Sequence, residues 1–466
     1  MMRAPEAFRR EGRELSLVLV GGLLATTVGW LVGRSLYTYT APLVFAVLIV
    51  AAAVGLPQVL LWLLVGALPF SFRFFLPNRA ELQVPSEPVV AALVGAYLLD
   101  RLVVAARGER IAAYPLRWPL YAFALSILAS LPFTAFPYES GKGALRALAF
   151  VLLPLPAYSL LSRRGVFSST VGVATAAGVV AALVQSVWMV WRGENLAHTT
   201  AYLGTLFTNY AIYGFYLTVF LLPLLAQVLF NPRYDRGWVG LGLVLFGGAM
   251  LLCWSRGAWL SLLIALGFLL LLRSEAGRWR KWAFMGTAAV LICLALLIGP
   301  VRETIASRLE TVFDPEYASN KTRLLRWGYA LLMFAEHPLF GAGYGSFALS
   351  YPNEPFLGAN RFYQMGAHNE HLQILAETGL FGALSWLWLN GALFLYGLRL
   401  LRRLEAQPTW YGWVAGLLAV QVASLAHLVV ESFSATDLFN VPFWLLFAAV
   451  PAAEQLALKE GEDCAS

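Results

Sequence analysis

Apolar runs of about 16–22 residues recur along the whole chain, each long enough to cross roughly 30 Å of hydrocarbon as a helix. Fourteen can be read, at 15–33, 41–55, 57–72, 88–106, 117–133, 145–161, 170–191, 209–230, 237–253, 258–272, 283–300, 379–398, 411–430 and 438–455. A chain of 466 residues that is 59% hydrophobic and only 13% charged cannot bury that much apolar surface in one soluble core. The expected fold is an all-α polytopic integral membrane protein of about 12–14 transmembrane helices, with one long outer (periplasmic or extracellular) loop containing amphipathic helices. Three regions follow: an N-terminal bundle over 1–300, the loop over 301–378, and C-terminal spans with a short tail over 379–466.

The Lys/Arg distribution orients the bundle. With the N-terminal "RREGRE" placed inside, 20 of the 33 Lys/Arg fall on the cytoplasmic side, in stretches such as "SRRG", "RSEAGRWRK" and "LRLLRRLE". Seven fall in short outer loops and six in the long loop. Both termini are then cytoplasmic, and the net charge of +7 reads as topology and lipid contact with no nucleic-acid surface. The first apolar run lacks a small-residue cleavage site and reads as an anchor. Cys253, Cys293 and Cys464 form no metal or redox spacing.

The long loop carries the chemistry. Residues 320–337, "NKTRLLRWGYALLMFAEH", show a 3.6-residue apolar period and predict an amphipathic helix in the interface, with Trp327 and Tyr329 at headgroup depth. Arg323 and Arg326 share one side of it, with Trp327 one turn beyond Arg323. Pro338 stops the helix, and Gly341, Gly343 and Gly345 permit tight turns. Asn369 is placed to cap the next helix, and Gly379 to end or break it.

Arg256, in the short turn "CWSRGAWLS", and Arg146, in "ESGKGALRALAF" beside Lys142, are further cations at outer membrane edges. Guanidinium groups bind phosphate through paired, charge-assisted hydrogen bonds. His368 adds a proton acceptor that works near neutral pH, with His371, Glu370 and Glu377 as its possible orienting partners. Taken singly, such arginines more often snorkel, and a lone loop histidine is more often structural. "GAGYGSF" follows a helix and a proline, so it is not a dinucleotide loop, and "HNEH" lacks metal-ligand spacing.

Three stretches together, "WSRGAWLS", "TRLLRWGYALLMFAEHPLFGAGYGSF" and "AHNEHLQILAETGLFGAL", resemble the core signature of the bacterial O-antigen ligase and O-antigen polymerase superfamily. "YLGTLFTNYAIYGFYL" is similar to a looser stretch of the same family. The resemblance implies a membrane glycosyltransferase that takes a saccharide from undecaprenyl diphosphate and passes it to a glycolipid or polysaccharide acceptor, such as the lipid A core or another lipid-linked repeat unit. It implies that Arg256 and Arg323 hold the diphosphate and that His368 activates the acceptor hydroxyl. Arg146 and Arg326 as further diphosphate ligands, and Asn369, His371 and Trp327 as supporting residues, come from the residues alone. Inverting displacement without metal or other cofactor is expected.

A polymerase fits the same features nearly as well. A transporter of lipid-linked sugar or a small anion should keep ionisable residues near mid-membrane and show interrupted repeats, and neither pattern is evident. The absence of a further domain after residue 455 weighs mildly against a protein-glycosylating enzyme.

Overall fold

A computed structural model describes residues 55–75, 81–108, 113–192, 206–207, 210–253, 255–272, 316–351, 366–432 and 436–465, with Asp314 and a few positions between 279 and 310. In chain order the helices are α1 Pro57–Ala67, α2 Ser86–Ala106, α3 Arg117–Ser130, α4 Pro137–Leu152, α5 Pro154–Leu161, α6 Arg164–Trp191, α7 Tyr210–Phe230, α8 Arg236–Leu252 and α9 Arg256–Leu271. They continue with α10 Ala318–Glu336, α11 Phe347–Ser350, α12 Glu370–Arg403, α13 Pro408–His427 and α14 Asp437–Ala465. An antiparallel hairpin, β1 Phe72–Phe75 with β2 Glu81–Val84, pairs Phe72 with Val84 and Phe75 with Glu81.

Among the described residues, seven helices are long and apolar enough to cross a membrane, counting Pro137–Leu161 as one, and α1, α8 and α9 are shorter apolar helices. The chain is an all-α polytopic membrane protein. Eleven of the fourteen apolar runs coincide with helices; those at 15–33 and 41–55, and nearly all of 283–300, lie outside the described residues.

Helix α13 sits at the centre, packed against α7, α9 and α14. It also fixes the two ends of the bundle. Near its start, Trp410 donates to Glu460, which pairs with Arg164 at 2.9 Å, while Arg403 pairs with Glu454 at 2.9 Å. The basic stretches "SRRG" and "LRLLRRLE" therefore share one end. Exposed pairs of this kind contribute about 0–1 kcal/mol each, so they report placement more than stability. At the other end of α13, His427 leads into the residues from which the candidate site is built.

Helix α12 is broken where the sequence predicts it. Gly379 has φ 64° and ψ −162°, so the i→i−4 ladder is interrupted beside an apolar environment. An unpaired backbone group there costs several kcal/mol, and the segment after α10 supplies the partners. Leu380 N donates to Pro338 O at 2.8 Å and Phe381 N to Leu339 O at 3.2 Å. In return, Ala342 N and Gly343 N donate to Ala376 O and Glu377 O, both at 3.0 Å. The Glu377 carboxylate accepts from Gly345 N at 2.9 Å and Phe347 N at 3.1 Å.

The two backbones run so close that side chains are excluded. A Cβ on Gly341 would stand 2.2 Å from Glu377 C, and one on Gly379 would stand 2.5 Å from Leu339 C. Gly345 also has positive φ, but its Cβ position is open. Gly345→Ala should therefore cost only the backbone strain of about 1–2 kcal/mol, whereas Gly341→Ala adds a main-chain collision. In thermal unfolding of the purified protein, Gly341→Ala is expected to lower the midpoint clearly more than Gly345→Ala; equal shifts would refute this account of the loop.

Candidate active site

Four segments meet at the His427 end of α13. The first is the start of α9. Ser255 caps it by accepting from Ala258 N at 3.2 Å, which sets Arg256 in the first turn. The Arg256 guanidinium lies 5.0 Å from the ring centroid of Tyr317, the residue preceding α10. Gly257 lets α9 approach α13: a Cβ there would stand 3.0 Å from His427 Nε2 and 3.2 Å from Val430 Cγ2.

The second segment is α10, whose boundaries agree closely with the amphipathic helix expected from its periodicity. Arg323 Nε donates to Val430 O at 3.1 Å, and its Nη2 pairs with Glu431 Oε1 at 3.1 Å. One turn on, Trp327 Nε1 donates to His368 O at 3.4 Å. Tyr329 Oη donates to Ser350 O at 2.6 Å. Trp327 and Tyr329 thus face the loop, where the sequence had suggested headgroup contacts.

The third segment carries His368, the single non-glycine residue with positive φ among the described residues, at φ 52°. Such a conformation costs on the order of 1–3 kcal/mol and persists only when neighbours hold it. Here they do. Ala367 N donates to Gln373 Oε1 at 3.1 Å, and Asn369 caps α12 by accepting from Leu372 N at 3.0 Å. Glu370 N donates to Leu428 O at 2.9 Å and to Glu431 O at 3.2 Å, tying α12 to the fourth segment, residues 427–432.

Glu431 joins the set. Its Oε2 lies 3.0 Å from His368 Nδ1 while its Oε1 holds Arg323, so one carboxylate is shared by the histidine and the arginine. With Nδ1 hydrogen-bonded to a carboxylate, Nε2 is left as the proton acceptor of a neutral ring. The His368 side chain keeps 26% of its surface exposed, against 15% for Glu431. Burial alone would raise the Glu431 pKa, but the hydrogen bond and electrostatic pull of His368, then Arg323 and His427, bring it below the usual carboxylate value.

The remaining expected residues lie elsewhere. Arg146 is paired with Glu87 and, at 2.5 Å, with Asp437, which also accepts from Ser86. A guanidinium already held by two carboxylates offers a diphosphate little net positive charge, so its environment does not favour the role expected for it. Arg326 is buried, donates to Gly366 O at 3.0 Å and lies over the Tyr351 ring, which supports the loop from below. His371 accepts from Trp386 Nε1 at 3.1 Å through Nδ1, and its Nε2 contacts Leu425 O at 3.1 Å. The rings of "HNEH" are therefore engaged by different partners, and the contact expected from His371, Glu370 or Glu377 is made by Glu431.

The O-antigen ligase family profile matches residues 241–387, which contain Arg256, Arg323 and His368. This segment, about a third of the chain, is similar to the O-antigen ligase domain. Comparison with curated proteins gives no match. The family is one of membrane glycosyltransferases of the O-antigen ligase or polymerase type, acting on lipid-linked saccharides and glycans. Glu431 and His427 lie beyond the matched segment. The signal in the sequence was an isolated carboxylate just past a span, in "HLVVESF".

The depressed Glu431 pKa has a definite sign. Its contribution to stability is fully present above the unfolded carboxylate value of about 4.3 and is lost as the pH falls through the lower folded value. The melting temperature of the parent protein should accordingly exceed that of Glu431→Gln near neutrality and converge on it in acid. A gap independent of pH would show that the carboxylate is not held ionised by its neighbours.

Proposed function

We propose that this protein transfers a saccharide from a polyprenyl-diphosphate carrier, of the undecaprenyl type, to an acceptor hydroxyl at the membrane surface. The observation that carries the reading is the arrangement Arg323–Glu431–His368, with Arg256 brought to the same segment by α9. His368 Nε2 takes the proton from the acceptor hydroxyl as that oxygen attacks the anomeric carbon. Glu431 holds the ring through Nδ1 and stabilises the imidazolium that forms, a role of the kind carboxylates play beside catalytic histidines.

On the opposite face of the sugar the bond to the diphosphate oxygen breaks, and the negative charge passes to the leaving group. Arg256 and Arg323 meet that charge. Arg323 keeps 21% of its side chain exposed, and Arg256 stands in the first turn of α9, where the helix dipole also favours an anion. Direct displacement inverts the anomeric centre. The acceptor is a glycolipid core in a ligase and a growing lipid-linked polysaccharide in a polymerase. Both uses need the same groups, and the site lies on the outer face of the bacterial inner membrane, opposite the basic end formed by Arg164 and Arg403.

The test is transfer by purified protein in nanodiscs, supplied with polyprenyl-diphosphate saccharide and crude lipid acceptors in the presence of EDTA. His368→Ala is expected to lose on the order of 10²–10⁴-fold in turnover while still binding donor, and Arg323→Ala and Arg256→Ala to weaken donor binding as well. Glu431→Gln should lower kcat more than it raises KM. Full activity in His368→Ala would remove the assigned base, and lipid-linked saccharide crossing the bilayer without transfer would point to a transporter.

A further inference from the structure

The face of α10 turned away from the site is apolar over most of its length, from the turn after Lys321 onwards. Leu324, Leu325, Leu331 and Leu332 are between 50% and 63% exposed, and the spacing i, i+1, i+7, i+8 puts them in one stripe. Gly328 and Ala335 fill the gaps, and no charged residue interrupts it between Leu324 and Ala335. A contiguous exposed stripe of this kind marks an interaction surface.

The stripe does not stop at the end of the helix. Leu339 is 63% exposed, and its carbonyl accepts from Phe381 N at 3.2 Å. Phe340 stacks on Phe133 with centroids 5.3 Å apart and meets Phe381 edge-on at 6.3 Å. From there the exposed residues Leu380, Leu384 and Leu387 continue down α12, at the i, i+4, i+7 spacing of a membrane-facing helix side. The apolar face of α10 is therefore the upper end of the surface that α12 presents to lipid.

We propose that α10 is an in-plane helix whose leucine face rests on the acyl chains of the leaflet at the His368 end. Its other face carries Arg323 and Trp327 towards Glu431 and His368. One helix then has two tasks: its leucines set the depth of the site in the leaflet, and its arginine meets the ligand. Resting on the glycosyl-transfer reading above, this depth lets a lipid-borne diphosphate reach Arg323 without its carrier leaving the bilayer. Continuity with α12 selects lipid over a second copy of the chain as the partner.

The experiment places the photoreactive residue p-benzoylphenylalanine at position 331, and separately at 324, in the full chain reconstituted in phospholipid nanodiscs. A third variant carries it at 316, ahead of α10, where Glu316 is exposed and paired with Lys321. After irradiation, mass spectrometry should find phospholipid adducts at 331 and 324 and none at 316. Cross-linking of 331 to a second copy of the chain, or equal lipid labelling at all three positions, would overturn the proposal, as would no lipid adduct at 331 or 324. No sugar transfer is read, so a lipid adduct stands even if His368→Ala keeps full activity. Loss of the adduct likewise leaves the assigned base untouched.

Discussion

The site depends first on the exchange of backbone hydrogen bonds at Gly379. A helix interrupted within an apolar bundle must find partners for its freed amides, because lipid offers none. Here Pro338 O and Leu339 O provide them, and the returning bonds from Ala342 and Gly343 lock the same segment in place. Since that segment follows α10 directly, its position limits where α10 and Arg323 can lie. The break and the loop are therefore one structural unit, and neither is satisfied without the other.

Glu431 is the second point on which the arrangement turns. Its carboxylate has two partners, the Arg323 guanidinium and the His368 ring, and only 15% of its side chain is exposed. Its ionised form is secured by Arg323 and His368 together, and the same contacts fix the histidine ring. Around it the charges add up to an anion site: Arg256 and Arg323 are positive, Glu431 is negative, and His368 is neutral in its base form. The net surplus of one positive charge among these four is small, but it lies at the edge of a low-dielectric bundle where an anion is poorly screened.

How much of this was legible in the sequence follows from how local each feature is. The bounds of α10, the Asn369 cap and the Gly379 break are written in residue spacing and turn chemistry within a few positions, and the structure has all three. The family signature was likewise legible, because its motifs are short and ordered. Glu431 was not singled out, since its contacts with Arg323 and His368 join residues 108 and 63 positions apart and no periodicity encodes them. The partners of Arg146 were hidden for the same reason: next to Lys142 it reads as a cation at a membrane edge, and Glu87 and Asp437 reach it from distant helices. Trp327 and Tyr329 have the composition of interfacial residues, but their polar atoms find loop carbonyls, and that choice is made by tertiary packing.

The distribution of charge along the spans bears on the choice between enzyme and carrier. Among the described residues, Glu87, Arg146, Glu370, Glu377 and Asp437 gather towards the His368 end, and Glu454 and Glu460 towards the other, with Arg164 and Arg403. Between them, polar side chains such as Asn390 and Gln421 are neutral, and Gln421 donates to Asn390 O at 3.0 Å. A carrier that couples transport to ions or protons places ionisable groups near the midplane, where both sides of the membrane can reach them in turn. Among the described residues, Arg323, Glu431 and His368 lie together at one face and are held by backbone contacts to two helix ends. Such rigidity suits a group that must meet a reacting atom within hydrogen-bond distance, and it would hinder a group that must alternate between two sides.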